Sequence, residues 1–461
     1  MKLEFIKRGA ATRLILIFAG WSTDARYYSD CVADGWDTAV VSDYRDLTVP
    51  SIPDQYSTVY IFAYSLGVAA ASMCDIRAAV RIAICGSMYP VSDSYGIPET
   101  IYSGTLEGLD ERSLKKFHLR MAGDKATYES IKERLPENPD IPCLRDELVS
   151  IRDNFHIPGK SNTDNRFFRV YLAQSDRIFP YDNLSAFWKE YAVAEIVSLR
   201  APHAVDMASI VKDCLPDTKA IGDGFSRAGK TYNNSAVVQE EICRKIGDII
   251  VSTQRKGNIK VDSVLEIGVG QGLLTEVWGR LLSPSEATFV DLLPMPEFGI
   301  AAKEEYVVAD AEEWLKNSTE RYDLILSAST IQWFADPIGF LHKVKSHLNP
   351  GGFALISTFV KGNLKELDSL RTAPIIYRTA EEYRAIPGIQ AEEWERNLTF
   401  PSSRELLMHL RLTGVSPRLK KGLVSVGRNV SDESKKRLTE LPLHLTYHPM
   451  ILLINADDPL I

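Results

Sequence analysis

The chain has 461 residues, 45% of them apolar and 25% charged, with a formal net charge of −8. That length exceeds one ordinary domain and suits two or three, each able to bury a core. The mild acidity and the lack of a long basic run argue against nucleic acid as a partner, and no apolar stretch is long enough to span a bilayer.

The N-terminal Met1-Lys2-Leu3-Glu4-Phe5-Ile6-Lys7-Arg8 spaces its charges too closely for a secretory signal, so a cytoplasmic protein is expected. The six cysteines show no C-x-x-C spacing and sit mostly in apolar runs. They are read as buried thiols, and no metal site is expected.

The first 215 or so residues alternate strand and helix. Strands are predicted at 14–18, 39–42, 59–63, 82–85, 168–172 and 196–199, mostly short apolar runs of the kind covered on both faces. Between 85 and 168 the strand rhythm stops. Charged helical patterns at 110–123, 127–135 and 143–155, broken by Pro136, Pro139, Pro142 and Pro158, read as an insertion (about 105–160) lying over the sheet as a lid. A polar, glycine-bearing stretch at 216–224 reads as a linker between a first domain, 1–215, and a second, 225–461. A long helix is predicted at 228–252. Strands follow at 263–267, 287–291, 306–309, 324–327 and 353–358, with helices between them. A closing pair of strands is expected at 422–426 and 449–454, flanking a helix at 432–441.

Residues 60–67 read Tyr-Ile-Phe-Ala-Tyr-Ser-Leu-Gly: an apolar run, a serine among small neighbours, then helix. A sharp strand-to-helix turn there exposes the Ser65 hydroxyl at the sheet rim. Asp176 and His203 follow, each in a loop after a predicted strand. Ser65 is the candidate nucleophile, His203 the base and Asp176 its orienter. The backbone N–H groups of Trp21 and Leu66 are the candidate oxyanion donors. Taken singly, a serine before a helix is more often a cap, and an aspartate after a strand more often turn chemistry; the ordered set favours a hydrolase. His118 and His156 fall in the insertion and are set aside.

These residues resemble the BioG-type esterases of the biotin pathway across residues 1–215, including Gln174-Ser175-Asp176-Arg177-Ile178-Phe179-Pro180 and Pro202-His203. Ala63 stands where a first glycine is usual, and Ala19-Gly20-Trp21 where His-Gly is common. The resemblance implies an α/β-hydrolase fold with a helical lid insertion. It also implies cleavage of the methyl ester of pimeloyl-acyl carrier protein, with Ser65, Asp176 and His203 as the triad.

The second half carries Glu266-Ile267-Gly268-Val269-Gly270-Gln271-Gly272 between a strand and a helix. A dinucleotide turn fails on spacing, because Leu273 stands where the third glycine belongs. The pattern resembles the first motif of seven-strand methyltransferases that use S-adenosylmethionine. Glu266, Gly268, Gly270 and Gly272 are then the expected cradle. Asp291 suits the ribose, Asp310 with Ala311 the adenine, and Ser327 ends the fourth strand. The run Gly224 to Thr231 matches a P-loop pattern, but no buried strand precedes it and ATP is not expected.

Phe225-Ser226-Arg227-Ala228, Tyr232, Ala236 and Gln239, with Ser327-Ala328-Ser329-Thr330-Ile331-Gln332-Trp333, resemble the BioC-type malonyl-acyl carrier protein methyltransferases. The resemblance implies a Rossmann-like class I methyltransferase fold, with Tyr232, Gln332 and Trp333 shaping the methyl-acceptor pocket. Acyl carrier protein bearing malonyl or methyl-pimeloyl groups is the implied partner. Its acidity calls for basic docking surfaces, with Arg112, Lys115, Lys116 and Arg120, and Arg418, Lys420 and Lys421, as candidates. Two other readings stay open: a general carboxylesterase fused to a small-molecule carboxyl methyltransferase, and a carrier-binding scaffold with one inactive site.

Overall fold

The computed structural model describes residues 1–155, 166–191, 195–232, 236–257, 260–370, 375–413 and 443–456, with the backbone alone at 228–232, 256–257 and 369–370. The chain divides into two compact units, Met1–Leu215 and Pro216–Ile461.

The first unit is built on a seven-stranded sheet. Its strands are β1 (Lys2–Lys7), β2 (Arg13–Phe18), β3 (Asp37–Ser42), β4 (Thr58–Tyr64), β5 (Val80–Ile84), β6 (Arg169–Ala173) and β7 (Ile196–Leu199), in the order β1-β3-β2-β4-β5-β6-β7. All neighbours run parallel except β1, which pairs antiparallel with β3. Strands β4, β5 and β6 are buried along their whole length, which is why they read as apolar runs, interrupted only by the buried Arg81 in β5 and Arg169 in β6. Strand β1 is an addition to the predicted set. It is a charged edge strand, KLEFIK, with alternating exposure, and its lysines and glutamate hide the strand signal.

The insertion is helical: Glu99–Glu107, Glu111–Ala122, Lys125–Ile131 and Ile141–Asn154. The second of these buries Leu114, Phe117, His118, Met121 and Ala122 on one face. Arg112, Lys115, Lys116 and Arg120 lie exposed on the other. Spacing of three and four puts each set on its own side.

The second unit holds strands β8 (Ser263–Ile267), β9 (Glu286–Asp291), β10 (Lys303–Val308), β11 (Tyr322–Ser327), β12 (Leu348–Phe359), β13 (Ile389–Glu393) and β16 (Pro449–Asn455), in the order β10-β9-β8-β11-β12-β16-β13. The first five are parallel, and β16 is antiparallel to both its neighbours. Val264, Phe289, Leu324, Leu326, Phe353 and Leu355 pack in the core on one face. Leu265, Ile267, Val290, Ile325, Ala354 and Ile356 pack on the other, as the alternation of side chains along a strand requires. Strand β13 and a small ribbon of β14 (Arg396–Thr399) with β15 (His444–Tyr447) were not expected. The predicted strand at 422–426 and helix at 432–441 lie outside the described residues.

The stretch read as a linker at 216–224 is a correction. Nearly all of it belongs to a helix, Thr218–Tyr232, whose first turn is capped by Asp217 Oδ1 accepting from the N–H of Ala220 at 2.9 Å. The glycines at 222 and 224 lower helix propensity, and they masked it. The same helix contains the whole P-loop-like run, so that run is not a loop. A second helix, Val237–Gly257, follows.

No helix among the described residues is long and apolar enough to cross a membrane.

Candidate active sites

Both sheets reverse their strand order once, and both candidate sites lie at that reversal. In the first sheet the chain winds outward from β2 to β3 and then, from β4, in the other direction. The crevice between β2 and β4 opens at their carboxyl ends, where an open α/β sheet binds its ligands. Trp21 follows β2 there and Ser65 follows β4.

Ser65 sits at φ 57°, a left-handed conformation that a non-glycine residue adopts only under constraint. Its N–H donates to the Ile84 carbonyl at 2.8 Å. Two glycines make the turn possible. A Cβ on Gly67 would meet the Phe18 carbonyl oxygen at 2.4 Å, and one on Gly86 would meet the Ser65 carbonyl oxygen at 2.1 Å. Backbone blocks both positions, so no rotamer change could relieve them.

His203, after β7, brings Nε2 to 3.0 Å from Ser65 Oγ and Nδ1 to 2.7 Å from Asp176 Oδ2. Asp176, after β6, accepts at Oδ1 from the N–H groups of Ile178 and Phe179 at 2.7 and 2.9 Å. The imidazole is clamped between the Phe179 ring, stacked at 6.1 Å, and Tyr64, whose hydroxyl donates to the His203 carbonyl. Such an arrangement can withdraw a proton from a hydroxyl and hold the resulting imidazolium.

Trp21 and Leu66 line, with Ser65, an open cleft. Its walls come from the segment 97–102, the insertion helices and the acid loop: Ile97, Ile101, Tyr102, Phe117, Leu148 and Ile178, with Arg120 and Arg177.

Two residues near this site escaped the sequence reading. Cys85 is fully buried at φ 49°, and its thiol clusters within 4.8 Å of the ligand atoms of Asp176 and His203. Burial, with the Asp176 charge beside it, pushes that thiol up and keeps it protonated. His118 is the other. It was set aside as an insertion residue, yet its Nε2 lies 3.0 Å from the hydroxyl of Ser22, next to Trp21. Its phase with Leu114, Phe117 and Met121 was the available signal of burial.

In the second sheet the reversal falls between β8 and β11. Register places Ile267 beside Val290 and Ser327, and Asp291 beside Val308. The glycine turn, Asp291, Asp310 and the segment after Ser327 therefore share one edge.

Gly268, Gly270 and Gly272 all have positive φ, at 73°, 57° and 82°. A Cβ on Gly268 would strike Thr330 at 2.0 Å, and one on Gly272 the Phe298 ring at 2.3 Å. Asp291 accepts from the Gly270 N–H at 2.8 Å and from the Leu293 N–H at 2.8 Å. Burial raises its pKa. Asp310 caps the helix Ala311–Asn317 through the N–H of Glu312, and Ala311 is buried.

Glu266 is a correction to the expected cradle. Its carboxyl turns into the core, accepting from Thr275 Oγ1 at 2.8 Å and Trp278 Nε1 at 2.5 Å. Burial pushes its pKa up to about 7. It braces the helix after the glycine turn instead of facing the crevice.

Beyond β11, Ser329 has φ 55° and gives its N–H to Ser357 Oγ at 2.9 Å. Gln332 Nε2 donates to the Ser329 carbonyl at 2.6 Å. The buried Ser327 Oγ, Ser329 Oγ and Gln332 Oε1 have no hydrogen-bond partner among the described residues. Buried polar atoms in that state fit a polar ligand, and together with the glycine cradle and Asp291 they fit S-adenosylmethionine. Phe225 of the helix Thr218–Tyr232 packs edge-on to Trp333 at 5.6 Å, and Gly222 of that helix lies against Leu292 and Leu293. Tyr232 ends this helix, and its side chain lies outside the described set, as do Arg418, Lys420 and Lys421.

Residues 1–204 match the family model of the pimeloyl-ACP methyl esterase BioG, and residues 237–406 match that of a methyltransferase domain, which implies use of S-adenosylmethionine. Over 461 aligned residues the chain is 30% identical to a malonyl-[acyl-carrier protein] O-methyltransferase of Bacteroides fragilis, covering 95% of this chain and 92% of that one. A protein of the same description from Porphyromonas gingivalis is 32% identical over 205 residues, 43% of this chain and 79% of its own. The solved structure of BioG from Haemophilus influenzae is 28% identical, with a TM-score of 0.40, covering 44% of this chain and 94% of that one. The chain therefore belongs to the biotin-pathway family in which one polypeptide joins a BioG-type esterase domain to a BioC-type malonyl-[acyl-carrier protein] O-methyltransferase domain.

Proposed function

We propose that the two units add and later remove the same methyl group on one growing acyl chain. The second unit esterifies the free carboxylate of malonyl-acyl carrier protein. This masks a charge that an apolar elongation site could bury only at high cost. The first unit hydrolyses the methyl ester of pimeloyl-acyl carrier protein to the free acid and methanol, which ends elongation. The observation that carries this reading is the Ser65–His203–Asp176 relay opening onto an apolar cleft, in the same chain as the glycine cradle.

In the esterase unit His203 Nε2 takes the proton of Ser65 as its oxygen attacks the ester carbonyl. The N–H groups of Trp21 and Leu66 receive the negative charge that develops. His203 then protonates the departing methoxide. A water molecule repeats the sequence on the acyl-enzyme. The apolar walls of Ile97, Ile101, Tyr102 and Leu148 suit the methylenes of a seven-carbon chain. The exposed Arg112, Lys115, Lys116 and Arg120, with Arg177, suit an acidic carrier. The insertion at 105–160 sets the chain length at which a carrier-held ester reaches Ser65, and so limits hydrolysis of the short malonyl ester.

In the methyltransferase unit the acceptor carboxylate is already ionised at neutral pH, so no strong base is required. When bound, S-adenosylmethionine supplies a methyl group on a cationic sulfur. The backbone of Gly268, Gly270 and Gly272, the carboxylate of Asp291, the Asp310-Ala311 corner and the polar atoms of Ser327 and Gln332 would hold it. Phe225, Trp333 and Tyr232 would shape the acceptor pocket and exclude water. That favours a reaction in which opposite charges neutralise.

Offering the intact protein malonyl-acyl carrier protein or free malonate as methyl acceptor tests the carrier assignment. The expected outcome is a kcat/KM at least about 100-fold higher for the carrier-bound acid, the scale of a docking interaction worth a few kcal/mol. Equal values would favour a small-molecule carboxyl methyltransferase.

A further inference from the structure

We propose that the insertion helix Glu111–Ala122 is part of the esterase machinery, positioning the oxyanion donor at Trp21 through the Ser22–His118 hydrogen bond. The proposal rests on the esterase reading above. Ser22 directly follows Trp21 and has φ 61°, in the left-handed region. A non-glycine residue stays there only where its surroundings over-determine it. Here the restraint is visible: the Ser22 hydroxyl and His118 Nε2 are 3.0 Å apart, and both residues are buried. Burial lowers the His118 pKa to about 4, so the ring is a neutral hydrogen-bonding group at working pH.

Further contacts bind the same turn to the insertion. The Trp21 ring packs edge-on to Phe117 at 4.9 Å, and its indole N–H donates to the Leu144 carbonyl at 3.0 Å. From the loops after β2 and β3 the turn is held one residue earlier. The Gly20 N–H donates to the Tyr28 hydroxyl at 2.8 Å, and the Tyr44 hydroxyl donates to the Ala19 carbonyl at 2.7 Å. Tyr28 and Tyr44 thus fix Gly20 and Ala19, while the insertion fixes Trp21 and Ser22.

The far end of the same helix grips the loop of the catalytic base. The Ala204 N–H donates to the Met121 carbonyl at 2.9 Å. Gly123, which closes the helix at φ 78°, lies so near Pro202 that a Cβ would approach its Cβ to 2.7 Å. One helix therefore ties the loop that receives the developing charge to the loop that moves the proton. Ser22 and His118 are positioning residues, touching neither substrate nor Ser65 in this scheme. An oxyanion donor acts in the transition state, so its displacement lowers kcat more than it raises KM.

The test uses the intact protein and a p-nitrophenyl butyrate assay, with active sites counted by complete fluorophosphonate labelling and with melting temperature recorded. Four variants are compared: Ser22→Ala, His118→Leu, which keeps bulk without polarity, His118→Gln, which restores a neutral hydrogen-bonding group, and the Ser22→Ala/His118→Leu double variant. The expected result is a kcat per labelled site lower by about 10- to 100-fold in Ser22→Ala and His118→Leu, with KM within about twofold. His118→Gln recovers most of the loss, and the Ser22→Ala/His118→Leu pair is no worse than either alone. A kcat per labelled site that stays at the wild-type value while the melting temperature falls would overturn the proposal, as would His118→Gln performing no better than His118→Leu. If His118→Leu does not fold, Ser22→Ala, which removes one hydroxyl, decides alone. Failure of the esterase reading itself looks different: Ser65→Ala would then hydrolyse the ester at the wild-type rate.

Discussion

Ser65 and His203 are 138 residues apart in the chain and 3.0 Å apart across the rim of the first sheet. What brings them together is the parallel order of β4, β5, β6 and β7, each ending at the same edge. Asp176, from the loop after β6, completes the line at 2.7 Å from the imidazole.

Asp176→Asn tests the orienting role in a specific way. One carboxylate oxygen is pinned by the N–H groups of Ile178 and Phe179, so the amide of an asparagine must turn its NH₂ toward His203. Nδ1 then becomes an acceptor, Nε2 carries the proton, and the ring cannot take one from Ser65. We expect kcat for ester hydrolysis to fall by about 10³- to 10⁴-fold with little change in melting temperature. A loss under tenfold would count against Asp176 as the orienter.

Glu266→Gln should change stability with a defined sign. The buried carboxyl is raised from 4.5 to about 7, so the folded state favours the protonated form. Its contribution is fully present below about pH 4.5 and is lost as pH rises through about 7, on the order of 3 kcal/mol across that window. Glutamine keeps an oxygen for Thr275 and Trp278 without the charge. Denaturant titrations should show the variant equal to the wild type near pH 4.5 and more stable at pH 8. A constant difference across that range would refute the burial argument.

Asp291→Ala addresses the donor pocket. The carboxylate holds the Gly270 N–H, and its strand end is placed for ribose hydroxyls. Calorimetric titration with S-adenosylhomocysteine should show affinity weaker by about 10- to 100-fold, the size of one or two hydrogen bonds to a charged group. Ester hydrolysis should be unchanged. Unaltered affinity would remove Asp291 from the site.

Much of this was legible because parallel strands buried on both faces leave continuous apolar runs, as in Tyr60-Ile61-Phe62-Ala63. The glycine turn was legible because positive φ at 268, 270 and 272 demands that residue type. Edge strands were not. The sequences KLEFIK in β1 and IQAEE in β13 bury none of their residues fully and read as charged surface. Glu266 was misplaced because spacing shows that an acid precedes the glycines but not which way its carboxyl turns. His118 was missed because its partner, Ser22, lies 96 positions away, and only the fold joins them.

Mass spectrometry of carrier-bound acyl groups after incubation with the wild type or with Ser65→Ala separates the two activities of the chain. The wild type should methylate malonyl-acyl carrier protein and demethylate pimeloyl-acyl carrier protein methyl ester, while Ser65→Ala keeps the first activity and loses the second. Hydrolysis of the pimeloyl ester by Ser65→Ala at the wild-type rate, or none by the wild type, would contradict the proposed pairing of activities.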